Sequence, residues 1–379
     1  MTLYVHIPFC RRKCPYCDFH SSPVEEIPEA PFLAAVAEEL RRWRHHWAQD
    51  ERPLQAIFLG GGTPSLLSGA AVARLLGSIQ QHWRLAADCE ITLEANPESA
   101  SLEKMQQWHA SGINRLSLGI QAFDEERLRF LQRPHDLATA RRAIAAAQGV
   151  GFAALNLDLI YATPGQSLAA WGRELAEAMA WQPQHLSCYQ LTVEAGTPFF
   201  AQRASWPPLE EALELAFFAE TRSRLAEGGW LAYETSNFAQ PGFTCRHNSN
   251  YWSFGDYVGI GPAAHGKWSD GSGGIWRTQN PVALADYLRL LEGEIGPDWP
   301  GVRVPPAEAG RECLVMGLRH AGGVERALYQ RLTGVDLLAQ HRSRWMAWQE
   351  AGFVRVEAER ICLTEQGMPL ADAMLLELF

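Results

Sequence analysis

The chain has 379 residues, 47% of them apolar, with 33 Lys+Arg against 43 Asp+Glu and a formal net charge of −10. That length suits one large domain and a smaller one, the apolar share excludes a disordered chain, and the acidic balance gives no general attraction to nucleic acid or anionic lipid. No apolar stretch approaches the ~20 residues of a membrane span and the opening residues carry no signal-peptide pattern, so a cytoplasmic protein is expected.

In chain order, the first apolar run, 3–7, reads as a strand. A helical pattern over 29–47 carries the one basic run, Arg41, Arg42 and Arg44 with His45 and His46, which reads as a solvated helix face. Strand-like runs at 56–59, 90–94, 115–121, 155–160 and 185–191 then alternate with helix-like stretches at 69–83, 102–111, 137–149, 168–180 and 209–228. Ser68 is placed to cap the first of these. Repeated βα units imply a parallel sheet. About six units are too few for a closed eight-unit barrel, so the expected fold is α/β, a partial (β/α)6 TIM-like barrel over residues 1–235, open on one side.

The pattern changes near residue 235. Residues 236–300 form a connecting region, Gly-, Ser- and aromatic-rich between 242 and 274. The stretch 296–306 holds Pro297, Pro300, Pro305 and Pro306 and reads as a linker. Residues 301–379 suggest a small α+β domain of winged-helix type. It has helices at 307–317 and 337–351, a hairpin pairing 353–356 with 361–363, and a last helix from 365. Arg342 and Arg344 fall on one of these helices, but without a wider basic patch nucleic acid is not an expected partner.

Three of the eight cysteines crowd together as Cys10-Arg11-Arg12-Lys13-Cys14-Pro15-Tyr16-Cys17. In a chain of this kind that clustering points to a metal rather than to disulfides. The spacing C-x3-C-x2-C lets one short loop hold three irons of a [4Fe–4S] cubane and leaves the fourth iron open. The alternative is structural zinc, which usually takes four protein ligands in paired C-x2-C sets; no second pair is present. An open iron can chelate the amino and carboxylate groups of S-adenosylmethionine (SAM), and an electron passed to the sulfonium would release a 5′-deoxyadenosyl radical.

With these motifs the sequence resembles the radical SAM superfamily. Within it, the closest resemblance is to the family that holds oxygen-independent coproporphyrinogen III dehydrogenases and heme chaperones. The resemblance implies SAM contacts residue by residue. Tyr4 stands six positions before Cys10, and Gly60-Gly61-Gly62-Thr63 matches the glycine stretch that grips the methionine part of SAM. Glu94, Gln121, Arg133 and Asp158 match further SAM-contacting positions. Gln121 and Asp158 would bond ribose hydroxyls, while Glu94 or Arg133 would pair with the charged methionine end. Taken singly, each of these is more simply a cap, a turn or a buried polar residue. Together they fall near the C-terminal ends of successive strands, where barrel enzymes build their sites.

Two departures separate the chain from the dehydrogenase pattern. The resemblance would place a further cysteine two residues past the triplet, where this chain has Phe19, and a long segment before the first cysteine. Arg246-His247-Asn248-Ser249-Asn250-Tyr251-Trp252 instead resembles the H-N-x-x-Y-W motif of the heme chaperones. A neutral imidazole is a good axial ligand for heme iron, and Tyr251 and Trp252 can offer flat apolar faces. Cys245 and His265 are secondary candidate ligands. The plainer reading is that His247 and Asn248 steady a loop and the aromatics pack on the barrel edge. The expected function is therefore a heme chaperone holding a [4Fe–4S] cluster, SAM and heme, with an acceptor haemoprotein and a reducing electron donor as partners. The alternative is oxidative decarboxylation of coproporphyrinogen III.

Overall fold

The structure, a computed structural model, describes residues 1–47, 50–292 and 301–379. Among them twelve strands form one sheet. In chain order they are β1 (Thr2–Ile7), β2 (Leu54–Gly61), β3 (Leu85–Ala95), β4 (Arg115–Gln121), β5 (Ala154–Tyr161), β6 (His185–Gln190), β7 (Leu231–Ala232), β8 (Asn237–Ala239), β9 (Tyr257–Ile260), β10 (His265–Ser269), β11 (Ile275–Gln279) and β12 (Val302–Val304). Across the sheet the order is β12-β11-β10-β9-β1-β2-β3-β4-β5-β6-β8-β7. The strands from β9 to β6 are parallel, and those added at either edge are antiparallel.

The parallel strands are buried on both faces, which is why they read as near-continuous apolar runs. In β1, Leu3, Val5 and Ile7 are all fully buried. The connecting helices bring Trp43, Trp108 and Trp171 into the same core. Four of these helices start at side-chain caps. Ser68, Ser101, Asp136 and Ser167 each accept the backbone N–H three residues on. All six expected strands and the six long helices are present. Two short helices, Glu125–Phe130 and Arg326–Thr333, lacked enough periodicity to be read.

The region past residue 235 is more regular than its composition suggests. It contains the helix Arg246–Trp252 and strands β8 to β11, which extend the sheet at both edges. β9 lies beside β1 and becomes the seventh parallel strand. Of the expected linker, residues 296–300 lie outside the described residues, while Val302–Val304 is the edge strand β12.

The C-terminal part has the three-stranded antiparallel sheet Val324–Glu325, Arg360–Leu363 and Val354–Val356. Against it pack the helices Pro306–Gly317, Arg326–Thr333 and Arg342–Glu350 around the buried Trp345. The helix expected over 337–351 breaks at His341, and the last helix is Ala371–Leu378 rather than one beginning at residue 365. Phe254 and Ile275 belong to this C-terminal core, and Arg277 of β11 pairs with Glu312 at 2.6 Å. Among the described residues no helix is long and apolar enough to cross a membrane.

Candidate functional site

The C-terminal ends of β2 to β6 and the cysteine loop after β1 surround a cleft of about 380 Å³. Parallel strands leave their ends on one side, and the loops there are free to carry chemistry. The cysteine loop is pinched at its neck, where Phe9–Cys10 pairs with Ser22–Pro23. Cys10, Cys14 and Cys17 are free thiols on the cleft wall. Cys10 Sγ lies 3.4 Å from Thr63 Oγ1, and Cys17 N donates to Cys14 O at 3.1 Å.

The end of β2 presses on this loop. A Cβ on Gly62 would stand 2.6 Å from Phe9 O. Gly61 has φ +110°, and a Cβ there would meet the His6 ring at 2.6 Å, so a side chain fits at neither position. His6 Nε2 faces His20 O at 2.7 Å, so it must carry the proton. Nδ1 then accepts from the Tyr4 hydroxyl at 3.0 Å. Tyr4 does not line the cleft; its ring stacks behind it on Phe58 and His247. The other seven candidate SAM residues, Gly61, Gly62, Thr63, Glu94, Gln121, Arg133 and Asp158, do line it.

Glu94 accepts the Gly61 N–H at 3.2 Å, and Asp158 accepts from Ser117 Oγ at 3.0 Å and Asn156 Nδ2 at 2.8 Å. Burial, aided by Asp158, pushes the Glu94 carboxyl up to about 8, and burial also raises Asp158. Neither acid forms an ion pair among the described residues. Arg133 is buried nearby. Its Nη2 donates to Asn96 Oδ1 at 2.5 Å and Gly119 O at 3.2 Å, and its Nη1 lies 3.4 Å from both Cys14 Sγ and Tyr16 Oη. A fixed positive charge thus stands beside the cysteine loop. Gln121 reaches the cleft through a break in register with β5 and a φ of +68°. Strain of that kind collects at sites where a side chain must be re-aimed.

Three thiols on one loop are a donor set that fits a [4Fe–4S] cubane. Among the described residues no three His, Cys, Asp or Glu side chains converge on one ion position. Structural zinc needs that convergence, whereas in a cubane each thiolate takes a different iron.

The H-N-x-x-Y-W residues lie elsewhere. His247 is 1% exposed, sandwiched with Phe58 at 5.0 Å and Tyr4 at 6.0 Å between ring centroids. Its Nε2 meets Tyr251 Oη at 2.8 Å, and Nδ1 is buried without a partner. Burial holds this imidazole down to about 3, so it is neutral. Glu90 receives the N–H groups of Arg246 and His247 and the Cys245 thiol, fixing the helix start. Tyr251 packs edge-on against Tyr257 at 4.4 Å, and Tyr251 and Trp252 are half-buried.

Sequence reasoning missed Asn96, Ser117, Tyr16 and Tyr189 on the cleft wall. A period-two reading would have found one of them: Ser117 and Gly119 share the face of β4 that leads to Gln121. Asn96 carried a weaker signal, as the residue before Pro97 at a strand end.

A Radical SAM superfamily profile matches residues 4–177, and a HemN C-terminal domain profile matches residues 304–370. The chain is 43% identical over 297 residues to the heme chaperone HemW of Escherichia coli, covering 78% of each. It is 36% identical over 385 residues to the heme chaperone HemW of Haemophilus influenzae, covering 100% of this chain and 97% of the relative. In fold it resembles the solved coproporphyrinogen III oxidase HemN of Escherichia coli, with TM-score 0.82 and 24% identity over 100% of this chain and 89% of that one.

Proposed function

This chain belongs to the HemW heme chaperones of the radical SAM superfamily, and from that membership we propose that it binds heme and passes it to acceptor haemoproteins, with a [4Fe–4S] cluster on Cys10, Cys14 and Cys17 and SAM in the cleft. The observation that carries this reading is the end-to-end match to the Haemophilus influenzae heme chaperone. When bound, the cluster supplies an electron and an open iron position for the amino and carboxylate groups of SAM.

The chain's own residues do the rest. Gly61 and Gly62 let the backbone approach the methionine end. Glu94 holds a proton in the empty cleft and, once ionised, would accept a hydrogen bond from the amino group of SAM. Arg133 balances the negative charge of the cysteine loop from its place beside Cys14. Asp158, held by Ser117 and Asn156, and Gln121 face the ribose hydroxyls. Tyr4 supports β2 from behind. His247, Tyr251 and Trp252 remain the motif's candidates for heme, but His247 can reach an iron only if the helix Arg246–Trp252 leaves β2. A cytoplasmic location and a reducing donor for the cluster belong to this reading. So does the division into a barrel at 1–235, a connecting region at 236–300 and a C-terminal unit at 301–379.

The test is anaerobic. Cluster-reconstituted protein is titrated with heme by absorbance, and a parallel sample receives SAM, reductant and coproporphyrinogen III. A saturable Soret band without protoporphyrinogen is the expected result. Decarboxylated product with 5′-deoxyadenosine and only unsaturable heme uptake would establish the dehydrogenase instead.

A further inference from the structure

We infer that Tyr233 and His185 are positioning residues for SAM: from a seat held by the C-terminal unit they fix Asn156, and through it Asp158, for the ribose hydroxyls. This rests on the SAM-binding reading proposed above.

The side chains of these residues form one unbroken run of hydrogen bonds that ends in the cleft, at Asp158 of β5. A carboxylate only accepts, so the Asn156 amide turns its nitrogen towards Asp158, 2.8 Å from Oδ1. The same Nδ2 donates its other hydrogen to Ser117 Oγ at 2.7 Å, and Ser117 donates to Asp158 Oδ2 at 3.0 Å. The Asn156 oxygen then faces the next strand, 2.6 Å from His185 Nδ1. An amide oxygen also only accepts, so the His185 proton sits on Nδ1. Nε2 is left to accept from the Tyr233 hydroxyl at 2.9 Å. Burial and the neighbouring Arg115 keep this imidazole neutral, so that acceptor stays available.

The far end of the run is fastened outside the barrel. Tyr233 follows β7, and its carbonyl accepts Ala321 N of the C-terminal unit at 2.9 Å. The next residue, Glu234, pairs with His320 in an antiparallel bridge. The Tyr233 hydroxyl therefore starts from a fixed point. Interiors of such barrels are ordinarily filled by branched apolar side chains, yet Asn156, His185 and Ser187 are each at most 3% exposed. A buried hydrogen bond adds little net stability once both groups have lost their water, whereas a fully satisfied run of them holds a single orientation. Apolar side chains would fill the same space. What the polar ones add is aim, and the group at which the run ends is the one on the cleft wall.

The experiment uses the full, cluster-reconstituted chain. SAM and its 2′-deoxy and 3′-deoxy analogues are bound by equilibrium dialysis, and the preference for SAM over each analogue is read as a ratio of affinities. The samples are wild type, Tyr233→Phe, His185→Leu and His185→Asn, whose amide nitrogen falls where Nδ1 stood. Wild type should prefer SAM about tenfold over at least one analogue, the worth of one hydrogen bond to a charged group. For that analogue His185→Leu should bring the ratio to within about twofold of unity, Tyr233→Phe should lower it about threefold, and His185→Asn should restore it. Iron content and circular dichroism should stay unchanged throughout. A wild-type ratio in Tyr233→Phe or His185→Leu overturns the positioning role even if overall affinity falls, because a merely structural role weakens all three ligands alike. His185→Asn behaving as His185→Leu overturns it too. Tyr233→Phe keeps the ring and decides alone if His185→Leu does not fold. Wild-type protein that binds SAM but prefers it to neither analogue overturns the ribose contact of Asp158, and the positioning with it. Wild-type protein that binds no SAM overturns the SAM-binding reading itself.

Discussion

Glu94 and Asp158 stand on β3 and β5 with β4 between them, both buried and both raised, and that pair sets the pH behaviour of the empty cleft. Glu94 moves from 4.5 to about 8. Across that window the folded, SAM-free chain keeps a proton that the unfolded chain has released. The contribution is fully present below 4.5 and is lost as pH rises through about 8. Urea midpoints of SAM-free protein should therefore fall with rising pH in this window, and Glu94→Gln should flatten the fall; an unchanged slope would remove Glu94 as its source. SAM binding should run the other way. The amino group of SAM, unprotonated where it meets iron, donates best to an ionised acid, so affinity should rise towards pH 8. Asp158→Ala should weaken SAM binding about 10–100-fold, the worth of a hydrogen bond to a charged group, with the bound iron unchanged. Equilibrium dialysis with an iron assay checks both halves. These residues were legible as matches to the family's SAM-contacting positions, a reading that their places on successive strands supported. Asn156 and Glu39 were not, because most of their partners come from other strands or from residues far along the chain, and His6 was not, because its second partner is a backbone carbonyl beyond the cysteine loop.

At the scale of elements, Glu39 of the helix Glu29–His46 shows what periodicity hides. It is 1% exposed on an otherwise apolar helix face. Its carboxyl receives Gly261 N at 2.9 Å, Asn280 Nδ2 at 2.7 Å and Tyr287 Oη at 2.7 Å, tying the helix to the turns around β9 to β11 and to the helix Leu284–Glu292. Glu39→Ala would strand three buried donors and should destabilise the chain by on the order of 3 kcal/mol, read as a lower urea midpoint at constant slope. A loss below about 0.5 kcal/mol would show that water replaces the carboxylate. The βα units were readable because most of their helices carry a 3.6-residue period, and four of them begin at a Ser or Asp cap. The hairpin near the C-terminus was readable, but the sheet strands between Asn237 and Val304 run only three to five residues and include Gly and aromatics. Too little pattern is present in them to separate an edge strand from a loop.

For the whole molecule, the C-terminal unit and the sheet edge are one body through Phe254, Ile275 and the Arg277–Glu312 pair. Ile275→Ala, although made in the sheet, should cost about 2–5 kcal/mol and shift a single calorimetric transition. A second peak that stays in place would show two independent units. The placement of β9 has a different consequence, in time rather than in energy. β1 is the first strand to leave a ribosome, yet one of its two partners spans residues 257–260. At 5–20 residues per second the 255 or so residues between them take roughly 13–50 s to synthesise. Until then one edge of Leu3-Tyr4-Val5-His6-Ile7 stays unpaired, with the cysteine loop attached to it. An apolar edge open for so long invites pairing with another chain. The strand that supports the cysteines is thus the last of β1 to β6 to gain its second neighbour.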